Sequence, residues 1–122
     1  PRPAVWDLAG LMERVMEDVE LARTILGGFH GDIAQRIDQL RECLESGDVA
    51  GADRQAHSIN GAAGLIGGEA LRAAAFEIEK AARRGDLAAA AAHIPELNRC
   101  FEELQAAIEA QLTAWEGSTC VS

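Results

Sequence analysis

Apolar residues along this chain recur at steps of three and four, the spacing that places them on one face of a helix. A short first segment carries Val5, Leu8, Met12 and Val15. A longer second stripe runs Leu26, Phe29, Ile33, Ile37, Leu40 and Leu44, with Asp18 placed to cap its helix. Gly27, Gly28 and Gly31 fall inside its early part and allow a kink or an early break there. Ser46-Gly47-Asp48 reads as a stop followed by a cap. The third stripe is Val49, Ala52, Ala56, Ile59, Ala63 and Ile66, closed by Gly67-Gly68. A fourth helix is expected from about Glu69 to Arg84, with Leu71, Ala75, Ile78 and Ala82 inward. Gly85-Asp86 repeats the stop and cap. The last stripe carries Ile94, Leu97, Phe101, Leu104, Ile108, Leu112 and Trp115. Pro95 lies inside it and marks a kink or a new first turn.

No stretch alternates with the period of a strand. The pattern therefore predicts an all-α fold: an antiparallel four-helix bundle with a short additional N-terminal helix. At 122 residues the chain is one domain with one core. Residues 1–4 read as a linker or a processed N-terminus, because Pro1-Arg2-Pro3 cannot start a helix; 5–116 is the bundle, and 117–122 a flexible tail. Composition agrees with helix: hydrophobic residues are 48% of the chain, aromatics only 4%, and Tyr is absent.

Charge narrows the function. The chain has 11 Lys and Arg against 20 Asp and Glu, for a net charge of −9. That balance argues against a nucleic-acid partner, which needs a basic face. The apolar stretches are too short to span a bilayer and there is no signal sequence, so no membrane contact and a cytoplasmic location are expected. Cys43, Cys100 and Cys120 have no CxxC spacing and read as reduced thiols. His30 and His93 have no ligand-spaced partner and read as surface or boundary residues. Trp6 and Trp115 read as packing near the chain ends. There is no P-loop or nucleotide fingerprint, and no metal-ligand pattern on facing helices.

The third helix has a second stripe. At about 100° per residue, His57, Asn60, Gly61 and Gly64 cluster roughly 130° from the core direction. Their spacing makes one continuous exposed face of an imidazole, an amide and two glycines. Each interior glycine costs about 0.5–1 kcal/mol relative to Ala. In so Ala-rich a chain, two of them beside a histidine suggest that something approaches the backbone there. A surface histidine with incidental glycines serves the wheel equally well. The fourth helix has a matching stripe of Arg72, Phe76, Glu79 and Arg83. In an antiparallel pair Glu79 can accept a hydrogen bond from the Nδ1–H of His57. That would leave Nε2 as a nucleophile.

These residues resemble a known family. Ala56-His57-Ser58-Ile59-Asn60-Gly61-Ala62-Ala63, followed by Gly67 and Leu71, is similar to the signature AHxLKGxxxxxGxxxL of histidine-containing phosphotransfer (HPt) domains. Ile78-Glu79 resembles that family's Leu-Glu pair on the next helix. Phe29, Leu40 and Gly47-Asp48 fall in the family's order, so the resemblance covers about residues 5 to 112. It implies a four-helix bundle that carries a phosphoryl group on an exposed histidine, here His57. The group comes from a receiver-domain aspartate or a histidine kinase and passes to a response regulator. The implied partners are receiver domains and a cognate sensor or hybrid kinase. No cofactor is implied for the carrier, since Mg²⁺ belongs to the receiver. The carrier has no catalytic or nucleotide site and acts as a monomer. By position, Gly61 keeps the approach open and Glu79 partners the imidazole. One departure is Asn60, where the family usually has Lys. A neutral amide is a weaker phosphoryl partner than an ammonium, which leaves Arg72 or Arg83 on the facing stripe to supply charge. The competing reading is a non-phosphorylated docking module of the same fold that uses the same face.

Overall fold

A computed structural model describes residues 3–120, with side chains to residue 116. Six helices follow in order: α1 (Leu8–Arg14), α2 (Val19–Ser46), α3 (Val49–Ile66), α4 (Glu69–Arg83), α5 (Leu87–Ala92) and α6 (Ile94–Cys120). No strand occurs among the described residues. The long helices α2, α3, α4 and α6 make the bundle, and α1 is the short additional helix. Asp7, Asp18, Asp48 and Asp86 cap α1, α2, α3 and α5, each accepting a backbone N–H three residues on. Such caps contribute about 1 kcal/mol each.

The core is the set of apolar stripes. Leu26, Ile33, Leu40, Ile59, Ile66, Leu71, Ile78, Leu97, Leu104 and Ile108 are fully buried, with Ala52, Ala56, Ala63, Ala75 and Ala82 between them. Alanine at these inward positions lets α3 and α4 approach closely, and their pairing is the most extensive in the molecule. Val49 departs from expectation. It opens the first turn of α3, beyond the packed stretch, and is exposed.

Three other boundaries differ from the sequence reading or resolve it. The glycines do not break α2, which is helical throughout Val19–Ser46. A Cβ at Gly27, Gly28 or Gly31 would meet nothing within 4 Å, so these glycines lie on the open side. Together they cost about 2–3 kcal/mol. Leu26, Phe29 and Ile33 on the opposite face gain about 1.5–3 kcal/mol each by burial and outweigh them. Pro95 starts a new helix rather than kinking one: α5 ends at Ala92 with His93 as its C-cap, and Pro95 sits in the first turn of α6, where its missing N–H costs nothing. The tail expected from 117 is helical in its backbone as far as Cys120, because Gly117 alone does not stop a helix. Its side chains and residues 121–122 lie outside the described residues.

The chain start closes one end of the bundle. Asp7 donates its backbone N–H to the carbonyl of Gly67 at 2.7 Å, and Ala70 donates to the carbonyl of Ala4 at 2.9 Å. Trp6 donates through Nε1 to the carbonyl of Ile66 at 2.8 Å, and Arg14 through Nε to that of Leu65 at 2.9 Å. The bonds from Asp7, Trp6 and Arg14 satisfy carbonyls at the end of α3 that no helical N–H reaches, and the bond from Ala70 satisfies an N–H in the first turn of α4. Gly67 is required there twice over. Its φ is +87°, and a Cβ would stand 2.5 Å from the carbonyl oxygen of Asp7.

Candidate functional site

The site lies along the α3–α4 pair. Its contacts fix an antiparallel register, since numbers rise along one helix as they fall along the other. Asp53 meets Arg83, His57 meets Glu79, and Gly64 lies against Arg72. The expected pairing of the two second stripes is therefore what the fold delivers.

The His57 ring is 70% exposed, whereas the Glu79 side chain is only 3% exposed. Nδ1 of His57 and Oε2 of Glu79 are 2.8 Å apart. Asn60 donates through Nδ2 to Oε1 of Glu79 at 3.2 Å, and Arg83 through Nη2 to Oε2 at 2.7 Å. Three side chains thus converge on one buried carboxylate. A carboxylate held by a guanidinium accepts, so Nδ1–H of His57 is the donor of this bond, and in the neutral ring the lone pair is then on Nε2. The open ring is pinned from below by a group that solvent does not reach.

The glycines divide into two kinds. A Cβ at Gly61 would meet nothing within 4 Å. One turn beyond the imidazole, the surface is bare helix. Gly64 was expected to share that role, but a Cβ there would come within 3.1 Å of Cδ of Arg72. Its missing side chain makes room for the stem of Arg72.

The cations also differ from expectation. Arg72 reaches Glu69 at 3.5 Å, one turn along its own helix, rather than the imidazole. Arg83 is engaged by carboxylates on both helices: Glu79, and Asp53 at 3.2 Å from its Nε. Asp53 was missed in the sequence. It stands one turn before His57 on the same stripe, and that i−4 step was the signal available. Phe76 is exposed, with Nζ of Lys80 4.9 Å from its ring centroid. Asn60, Arg72 and Phe76, with Pro3, Glu69 and Ala73, line a hollow of about 340 Å³ beside the cluster.

Other reactive groups lie elsewhere. His30 stacks on Phe101 at 5.2 Å between centroids, and His93 caps α5. Cys100 is buried and its thiol is pushed up to about 11, first by burial and then by Glu96. Burial, with Asp48 beside it, also raises the Cys43 thiol. Among the described residues no three metal-binding side chains cluster, and no helix is long and apolar enough to cross a membrane.

Comparison with known proteins bears on this arrangement. The crystal structure of histidine-containing phosphotransfer protein B (HptB) from Pseudomonas aeruginosa PAO1 superposes with a TM-score of 0.78 at 33% identity, over 88% of this chain and 93% of that one. The HPT domain of a sensor hybrid histidine kinase from Shewanella shares the fold, with a TM-score of 0.74 at 18% identity over 90% and 95% of the two chains. The phosphorelay intermediate protein rdeA of Dictyostelium discoideum is 28% identical over 85 residues, 70% of this chain; the chain spans 34% of that relative's length. The profile of the Hpt domain family matches residues 24–107, which include all of α3 and α4 and the whole cluster around Glu79. With that match spanning more than half of its length and His57 inside it, this chain belongs to the Hpt domain family.

Proposed function

We propose that the chain is a phosphorelay carrier with His57 as its phosphoacceptor. One observation carries this reading: an exposed imidazole held at Nδ1, 2.8 Å from a buried carboxylate. The Nε2 lone pair attacks the phosphorus of an aspartyl phosphate on a receiver domain. The N–P bond forms as the P–O bond to the aspartyl carbonyl breaks, and its electron pair returns to the aspartate. The proton on Nδ1 stays in place, and the positive charge that develops on the ring lies against Glu79. Passage to the next receiver reverses these steps. Such transfer depends on positioning and charge more than on covalent chemistry from the carrier. The receiver supplies the acidic pocket and Mg²⁺, and the carrier needs no nucleotide site of its own. A histidine kinase is the other donor consistent with the family. Gly61 leaves the approach to His57 clear. Arg83, which shares the Glu79 carboxylate with His57, supplies a positive charge beside the acceptor, on the side of His57 away from Asn60, which offers only an amide. Arg72 and Phe76, around the neighbouring hollow, are surface for the partner.

Incubation with a phosphorylated receiver and Mg²⁺ should produce an acid-labile, base-stable phosphate on the wild-type chain and none on His57→Gln. Absence of label from every receiver and kinase donor would leave the docking-module reading instead.

A further inference from the structure

Arg83 is held from two helices. Its bond to Glu79 runs along α4 to the residue one turn before it. Its bond to Asp53 crosses to α3. With one anchor, a long and 58% exposed arginine keeps much of its rotamer freedom. A second anchor on the other helix fixes the plane of the guanidinium.

Asp53 carries a cost if the proposed function is correct. It and Glu79 bring two negative charges against the single positive charge of Arg83. A phosphoryl group arriving one turn away adds about two more. Simple repulsion therefore makes Asp53 a hindrance, and its presence calls for a geometric benefit. The guanidinium has five N–H donors, and the two anchors use two of them. The remaining donors are available to phosphoryl oxygens. Arg72, turned onto Glu69, does not replace them.

We infer that Asp53 is a positioning residue: from one turn before His57 it holds the Arg83 guanidinium in place beside Glu79, at the edge of the acceptor imidazole. This rests on the carrier reading, but its geometry can be tested without transfer.

The two effects of Asp53 have opposite signs, which makes the test decisive. Asp53→Ala should fold, because the position is part-exposed and Ala favours helix; circular dichroism checks this. If Asp53 positions Arg83, Asp53→Ala slows phosphoryl transfer from a labelled receiver, by up to about fivefold, the ceiling for an exposed ion pair. Arg83→Ala slows it at least as much, and the double variant is no slower than Arg83→Ala alone. Asp53→Glu restores part of the rate. If Asp53 is only a nearby negative charge, Asp53→Ala transfers as fast as wild type or faster, which would overturn the inference. The Nε–H resonance of Arg83, assigned by its loss in Arg83→Lys, provides a readout without phosphate. It should exchange slowly with water in the unphosphorylated wild type and rapidly in Asp53→Ala. Equal exchange in both would also overturn the anchor. A wild type that no donor can label removes the carrier reading, and the exchange measurement still decides the anchor.

Discussion

A carboxylate in an alanine-rich interior is costly unless every lone pair that faces protein finds a donor. Glu79 meets that condition through His57, Asn60 and Arg83. The energetic consequence is modest, because two of its partners can turn back to water. His57 is 70% and Arg83 58% exposed, so losing Glu79 does not strand a buried cation. Glu79→Ala should therefore cost about 1.5–3 kcal/mol in urea unfolding, the range of a hydrogen bond to a charged group. It should stay below the about 3–5 kcal/mol of a broken, fully buried pair. A loss in that larger range would mean the partners are far less free than their exposure indicates. At this scale the sequence was legible where periodicity speaks. Steps of three and four found His57, Asn60, Gly61, Glu79 and Arg83 on facing stripes. The same steps gave no sign that Glu79 is buried, because burial depends on how closely the neighbouring alanines let α3 and α4 approach. They also could not separate Gly61 from Gly64, whose difference is the path of one Arg72 side chain.

The helices themselves were readable from their punctuation. Asp18, Asp48 and Asp86 are caps as expected, and Gly47 and Gly67 end α2 and α3 in left-handed conformation. What local signals did not settle was competition between local and tertiary terms. In α2 three glycines argued for a break, and burial of the opposite face kept the helix whole. Pro95 was ambiguous between a kink and a start until the separate helix α5 resolved it. The α2 result leads to a direct prediction. Since a Cβ at Gly27, Gly28 or Gly31 meets open space, replacing all three by Ala should stabilise the protein by about 2–3 kcal/mol. Chemical denaturation measures this, and an unchanged or lower midpoint would show that the glycines relieve a strain absent from the contacts around them.

On the scale of the whole molecule, charge is the unbalanced quantity. A net charge of −9 on 122 residues places the folded state under self-repulsion. Local pairs such as Arg36 with Asp32, and Arg99 with Glu96 and Glu103, offset only part of it. Between about 0.01 and 0.15 M salt the screening length falls from about 30 to about 8 Å. The thermal midpoint should rise over that range; a fall would mean the surface ion pairs outweigh the repulsion. The bundle was legible from the stripes, whereas the clamp made by Ala4, Trp6 and Asp7 on the α3–α4 turn was not, because it runs through backbone groups of Ala4 and Asp7, which carry no residue code, and through an indole N–H whose acceptor is a backbone carbonyl. That turn closes a hairpin whose register brings Asp53, His57 and Asn60 against Glu79 and Arg83. The whole charged cluster is thus encoded in one uninterrupted stretch of chain, from 53 to 83. The rest of the bundle supplies support and no member of the cluster. A site built this way is portable: duplication, fusion or deliberate grafting can carry it whole between helical scaffolds, provided the host keeps the register of the pair.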